Sequence, residues 1–383
     1  MTHRTLALSA LVSPLVLSFA SPVLASPYDV QSANSAVLQD QGDERLSQFT
    51  PRTTNRDDKI DYSIWGVALK SMVIGLGPST RQGARRPDGY LGTRIFRGHK
   101  SRLRLEGSRI AYSFFNDDVT ASLTEYRQDL ERVGTDLDIP SLSRNEQLAY
   151  WLNLHNVAMI EQIAVNYPQV IPSEIEIDGA LLDEARFLEV DGTKLSLRDI
   201  RERIVYPNWS DPRVIYGFFR GDIGGPMIQP EEFNARNLDF MLSDNAVEFI
   251  NSLRGTERRG KTLHVSKLYE EAAQFYFPDL QNDLKPHLAE FAEEEVTQHL
   301  EKSDFIRPTI YEDDIADLAR GQKQPVLAIL AGGRTRYPPN LVRFLGERQK
   351  KFQELRIDGT PVWTIRLIPM DLPGQPSTIP EIE

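Results

Sequence analysis

The chain has 383 residues, no cysteine, and 44 Lys and Arg against 55 Asp and Glu, a formal net charge of −11. An apolar fraction of 40% is enough to fill a core, which excludes wholesale disorder and collagen-like or coiled-coil architecture. The missing thiols exclude disulfides, thiolate catalysis, Fe–S clusters and Cys-based zinc sites, and the acidic balance disfavours nucleic acid as a partner.

Met1 to Arg4 is a short basic start. The next charge-free stretch, 6–25, is broken by Pro14 and Pro22 and ends in Val23-Leu24-Ala25. A membrane anchor would need about 20 unbroken apolar residues and flanking charge. The pattern therefore predicts a cleaved export signal over 1–25. Its removal takes only Arg4 from the charge balance and leaves 43 basic residues against the same 55 acidic ones. With no lipid-anchor cysteine and no later apolar stretch of spanning length, the expectation is a soluble periplasmic or extracellular protein. No integral span is expected once the signal is gone.

Residues 26–59 are rich in polar side chains and read as a flexible lead-in. Helical apolar spacing begins at Ile60 and Trp65, and 75–98 is a long loop of Gly, Pro and Arg. Val119, Leu123, Tyr126 and Leu130 recur at helical spacing and predict a helix over 116–133. Ser143 and Glu146 form a capping box for a helix that runs to Ile163 and stops before Tyr167-Pro168. Strand-like runs at 174–177, 187–190 and 193–195 flank Asp178-Gly179 and Asp191-Gly192, which are hairpin signals. The segment 196–199 opens a helix to Ile204. Residues 213–219 are the most strand-like run, ending at a glycine-rich corner over 221–226. Further helices are predicted at 244–253, 267–275 and 287–300, and a second hairpin pairs 352–357 with 362–368. The sum is an α+β fold, mostly helical with a small, mainly antiparallel sheet. Residues 60–320 make the globular domain, and 321–383 a C-terminal extension that packs on it.

Mechanism-bearing motifs are absent: there is no Walker loop, GxSxG elbow, HExxH or EF-hand, and no dinucleotide fingerprint follows a strand. Gly332-Gly333-Arg334 reads as a turn. Glu295 and His299 stand one helical turn apart without a third ligand, and 290–295 reads as a solvated acidic face, so neither a metal nor a cofactor is expected. The helix over 143–163 carries more information. Glu146, Asn153 and Asn156 share a stripe beside an apolar one of Trp151, Leu152, His155 and Met159. Buried amides need partners or cost about 1–3 kcal/mol each. Asn153 and Asn156 thus either tie down loop backbone or line a polar pocket, and His155 is either a satisfied core histidine or a base.

Here the chain resembles the family called domain of unknown function 547. Asn145-Glu146-Gln147-Leu148-Ala149-Tyr150-Trp151-Leu152-Asn153-Leu154-His155-Asn156-Val157-Ala158 is close to its Trp-x-Asn-x-Tyr-Asn helix. Lys194-Leu195-Ser196-Leu197-Arg198-Asp199-Ile200 is similar to its Ser-Leu-x-Asp-Ile element. Asp211-Pro212-Arg213-Val214-Ile215-Tyr216-Gly217-Phe218 and the glycine corner follow in the expected order, and then Val265-Ser266-Lys267-Leu268-Tyr269 and Phe277-Pro278-Asp279. The likeness spans about residues 61–320. It implies a helix followed by a small sheet, similar in outline to papain-like and transglutaminase-like folds, and by analogy cysteine–histidine chemistry. This chain departs from that pattern. Ile215 stands where members often have histidine, their cysteines near Arg220 and Gly225 are missing, and the hallmark tyrosine is His155. A thiol mechanism cannot operate without a thiol.

Two functions fit these readings. The first is an exported, non-catalytic module that binds a small ligand, a cell-wall fragment or an envelope protein. Its polar cleft would be lined by Asn153, His155, Asn156, Arg213, Arg220 and Asp222, with the corner's backbone N–H groups and the two arginines holding a carboxylate. The alternative is a thiol-independent hydrolase or transferase. There His155 is the base, Asp222 its orienter or a second acid, and Asn153 or Arg220 the oxyanion stabiliser. Both require the helix amides and a guanidinium at the end of the sheet to converge on one solvent-reachable hollow.

Overall fold

A computed structural model describes residues 45–52, 56–83, 101–323, 328–330, 334–336 and 339–357. The export signal at 1–25, most of the lead-in, the loop at 84–98 and the strand expected at 362–368 lie outside these residues. Among those described, seven helices have eight residues or more: α1 (Ser63–Met72), α2 (Asp117–Asp136), α3 (Arg144–Val165), α4 (Leu238–Ile250), α5 (Leu280–Phe291), α6 (Glu294–Glu301) and α7 (Pro339–Ile357). The strands are short and mostly antiparallel: β1 (Val73–Gly75) with β2 (Ser108–Ile110), β3 (Glu176–Ile177) with β4 (Ala180–Leu181), and β5 (Leu188–Val190) with β6 (Thr193–Leu195). β7 (Thr256–Arg259) pairs antiparallel with β8 (Thr262–Ser266), which pairs in parallel with β9 (Phe305–Ile310), and β10 (Ala328–Leu330) pairs with β11 (Arg334–Arg336). The fold is α+β and mostly helical, as expected.

Helix α3 is the axis of the core. Ser143 accepts the Glu146 N–H at 3.4 Å and starts it. The capping box is only half formed, because the Glu146 carboxylate turns to the Ile60 N–H at 3.0 Å. Nearly every side chain from Glu146 to Ile163 is buried, polar ones included. Such a helix must be wrapped on all sides rather than laid down on one face. Helix α2 covers one side, where the Tyr150 hydroxyl donates to the Leu130 carbonyl at 3.0 Å. Leu46 and Phe49 cover another, and Phe49 meets Trp151 edge-on at 5.1 Å. Two side chains of the expected lead-in thus belong to the core, while Thr50, Arg52 and residues 56–59 are exposed.

Both Asp-Gly pairs adopt positive φ at each residue, 51° and 83° at Asp178-Gly179 and 46° and 67° at Asp191-Gly192. This is the backbone that two-residue hairpins require. Four other expectations change. Residues 213–219 form no strand, and Pro212–Gly217 is a 3-10 helix opened by the Asp211 carboxylate, which accepts the Arg213 N–H. Asn245 and Asn156 amides donate to the Tyr216 and Gly217 carbonyls at 3.0 and 2.9 Å, so the run needs no strand partner. The helix expected at 287–300 breaks between α5 and α6, where Asn251 accepts the Glu293 N–H at 2.7 Å and donates to the Phe291 carbonyl at 2.8 Å. The one expected at 267–275 is two short turns, Leu268–Glu271 and Ala273–Tyr276. Residues 352–357 are the last turns of α7 rather than a strand. That helix packs Leu341 and Phe344 against Ile74, Leu76 and Leu318.

The glycine corner is held from two sides. The Ile223 N–H donates to the Asp314 carbonyl and the Ala316 N–H to the Gly221 carbonyl, both at 2.8 Å. Gly221 has φ +79°, and a Cβ there would run into Ile163 and approach Pro172 to 3.2 Å. Gly221→Ala therefore combines a strained backbone with overpacking and should cost about 1–3 kcal/mol. Urea unfolding reads this directly, and an unchanged midpoint would show that the corner is not built as described.

Candidate functional site

The site begins with a local cap. The Ser196 hydroxyl accepts the Asp199 N–H at 3.0 Å, and the Asp199 carboxylate returns the contact to the Ser196 N–H at 3.1 Å. This reciprocal pair opens a π-helix, Asp199–Val205. It turns Ile200, Ile204 and Val205 into the core and Arg201 with them, at 0% exposure.

A buried guanidinium must be neutralised and its N–H groups satisfied. Arg201 makes two parallel 2.7 Å bonds to Asp183, which follows the β3–β4 hairpin. Its Nε donates to Glu271 at 3.2 Å, at the end of the turn Leu268–Glu271. Arg220 pairs with the same Glu271 oxygen and stands 3.7 Å from Asp183. The floor is thus two guanidiniums against two carboxylates. Burial alone would raise both carboxyls, but the arginines outweigh it. Glu271 is held at about 2, and Asp183 well below the usual carboxylate range.

His155 lies behind this floor. Its Nδ1 faces the Asn156 Oδ1 at 3.2 Å. That oxygen also accepts the Phe219 N–H at 2.9 Å, while the Asn156 amide nitrogen donates to Gly217. The amide orientation is therefore fixed, and Nδ1 must carry the imidazole proton. The remaining Nε2 lone pair accepts from Arg201 at 3.1 Å. Burial first, then the charges of Arg201 and Arg220, push His155 well below the ordinary histidine range.

Above the floor opens a hollow of about 290 Å3 beside the glycine corner. Arg220, Asp222, Asp183, Glu271 and Lys267 supply its polar side, and Met159, Pro172, Leu182 and Leu268 part of its apolar side. The Asp222 carboxylate accepts the Gly225 N–H at 2.6 Å. Burial pushes its carboxyl up to about 7, against the pull of the Gly225 N–H and Arg220.

Of the six residues singled out by sequence, Arg220 and Asp222 line this hollow, and His155 and Asn156 stand behind it. The other two are elsewhere. Asn153 is buried and clamps Phe233, donating to its carbonyl at 2.7 Å and accepting its N–H at 3.1 Å. Arg213 pairs with Asp211 and Asp239 and donates to Ser243 at 2.6 Å. The expected convergence of Asn153 with Arg220 does not occur, because the Asn153 amide is consumed by loop backbone. Sequence reasoning missed Asp183, Arg201, Glu271 and Lys267. The available signal was Arg201 itself, a charge inside the apolar pattern Ile200, Ile204 and Val205. Its partners stand 18, 46 and 70 residues away, beyond any local pattern.

The fold and site define an α+β protein whose central helix backs a buried arginine–carboxylate floor under an open hollow. Residues 139–250 match the family model described as "Protein of unknown function, DUF547". The matched stretch holds His155, Asp183, Arg201, Arg220 and Asp222 and ends before Lys267 and Glu271. No curated protein and no solved structure matches the chain, so the papain-like or transglutaminase-like outline has no matching structure behind it. Among the described residues no helix is long and apolar enough to cross a membrane, and no group of three or more His, Asp or Glu could hold a metal ion.

Arg201→Met removes the two-pronged partner of half-buried Asp183 and one of the two counter-charges of half-buried Glu271, and should cost about 3 kcal/mol in denaturant unfolding. Arg201→Lys should not restore it, since an ammonium cannot match the two-pronged contact to Asp183. Recovery of wild-type stability by the lysine would refute the bidentate role. For His155 the sign is that of a base whose folded form resists protonation. The unfolded chain takes up the extra proton below about pH 6.5, so this contribution to stability holds above that pH and is lost on acidification. Nitrogen NMR should show a neutral Nδ1–H ring from pH 8 to pH 5, and an imidazolium at pH 5.5 would contradict the geometry.

Proposed function

We propose that the chain is an exported, soluble and non-catalytic module that binds a small ligand, a cell-wall fragment or a segment of an envelope protein, in the hollow beside the glycine corner. The observation that carries this reading is the state of His155. A general base needs an accessible lone pair and a protonation midpoint near the working pH. The His155 lone pair is occupied by Arg201 and the ring is fully buried. The hollow, by contrast, combines an apolar wall with charged groups that converge on one space, as a binding site does. Export rests on the apolar start of the sequence and its small-residue exit.

Arg213 and Arg220 are not available to hold a ligand carboxylate as the sequence suggested. Both guanidiniums already face carboxylates of the protein. The test is a thermal-shift screen of the exported chain, purified after expression of the full sequence, against wall fragments and short peptides. A genuine ligand should raise the melting temperature by mass action, and Leu181→Arg at the rim should abolish the shift. A shift that survives Leu181→Arg would place binding elsewhere. Turnover of any screened compound that disappears in a folded His155→Gln variant would replace this reading with the hydrolase or transferase.

A further inference from the structure

We propose that the hollow recognises a small zwitterion, a ligand carrying an ammonium and a carboxylate on an apolar frame, with Asp222 receiving the ammonium and Lys267 the carboxylate. The inference rests on the binding reading above and adds the chemical class of the ligand.

The argument is one of charge balance. Four arginines at or behind the hollow are matched by carboxylates of the chain. Arg201 meets Asp183, Arg220 meets Glu271, Arg104 meets Glu312, and Arg198 meets Glu184 at 2.9 Å. Asp222 and Lys267 line the same hollow, and among the described residues neither forms a salt bridge. The Lys267 ammonium lies 5.4 Å over the Tyr311 ring, which steadies the side chain without neutralising it. Asp222 spends one oxygen on the Gly225 N–H, and the nearest cation, Arg220, acts on it without forming a salt bridge and is itself paired with Glu271. A half-buried carboxyl in that position is uncomfortable as an anion, and a ligand ammonium is the partner that relieves it. A ligand with only a negative charge would answer Lys267 and set a second anion against Asp222. One with only a positive charge would meet Lys267 and leave it unanswered. Only a molecule bearing both signs satisfies both leftover groups.

The frame between the two charges follows from the rim. Leu181 and Tyr311 are exposed by 46% and 53% and border the hollow, with Pro172 and Leu268 deeper in the wall. Large apolar groups gathered at the mouth of a polar hollow are the usual mark of a surface that a ligand covers. A space of about 290 Å3 suits an amino acid or a dipeptide rather than a long chain.

The experiment is titration calorimetry on the exported chain with four probes: leucine, alanyl-alanine, N-acetyl-leucine and leucinamide. The first two carry both charges, the third only the carboxylate and the fourth only the ammonium. The free forms should bind at least about tenfold more tightly than either blocked form. Asp222→Asn keeps the acceptor for Gly225, so its fold is retained and a melting curve checks it. It should weaken leucine about tenfold and leave N-acetyl-leucine unchanged. Lys267→Gln, at an exposed position, should do the converse with leucinamide as the unaffected probe. Stronger binding of alanyl-alanine assigns a peptide end and of leucine a free amino acid, and either supports the proposal. Blocked probes that bind as well as the free ones, or variants that bind as wild type does, overturn it. If none of the four binds but the thermal-shift screen still finds a ligand sensitive to Leu181→Arg, the zwitterion falls and the binding reading stands. If neither experiment finds a ligand, both fall together.

Discussion

A single guanidinium, that of Arg201, ties together segments that share no strand and no helix. It joins the π-helix to the residue after the β3–β4 hairpin, to the turn that ends at Glu271, and to the ring of His155 in α3. Taking a cation out of water is costly, and its attraction to two carboxylates offsets that cost only when its N–H groups are answered. Here four of the five N–H groups are answered, two by Asp183, one by Glu271 and one by His155. The arrangement is sensitive to geometry, which is why it specifies where these elements meet more than it adds to net stability. It also leaves the charges of the floor largely cancelled within the protein.

The second layer of organisation is made of side-chain amides. Among the described residues the sheets are two or three strands wide, so much buried backbone has no ladder to join. Asn153 holds the Phe233 peptide groups, and Asn156 holds Gly217 and Phe219. Asn245 holds Tyr216, and Asn251 bridges the break between α5 and α6. Buried peptide groups must be paired somewhere, and these amides supply the pairing that strands would otherwise give. Asn156 does a further task, since the same oxygen that anchors Phe219 fixes the tautomer of His155. The polar stripe of α3 is therefore scaffold, and the polar groups that line the hollow belong to the segments around it.

The match over residues 139–250 fits this division. It covers α3, the two hairpins, the π-helix and the glycine corner, the parts that carry the buried floor. Lys267, Glu271 and Tyr311, which complete the rim and one side of the floor, come from the chain beyond it. The lining of the hollow is thus assembled from the matched segment and from the chain that follows it.

Much of this protein was written locally. Ser143 and Ser196 announced their caps, the two Asp-Gly pairs their hairpins, and the spacing of Val119, Leu123 and Leu130 the helix that packs on α3. Each depends on contacts within a few residues, so each can be read from a short window. Where the window failed, the deciding partner was distant. The apolar run ending at Phe219 has the composition of a strand, but α3 and α4 surround it and Asn156 and Asn245 take its carbonyls, so it coils. Asn153 and Asn156 look alike on the helix, yet which loops reach them was settled only by the packing of the whole chain. The ion pairs of Arg201 follow the same rule. A charge in an apolar stripe announces that a partner must exist, but Coulomb attraction carries no record in sequence of which carboxylate, 18 or 70 residues away, the folded chain will bring to it.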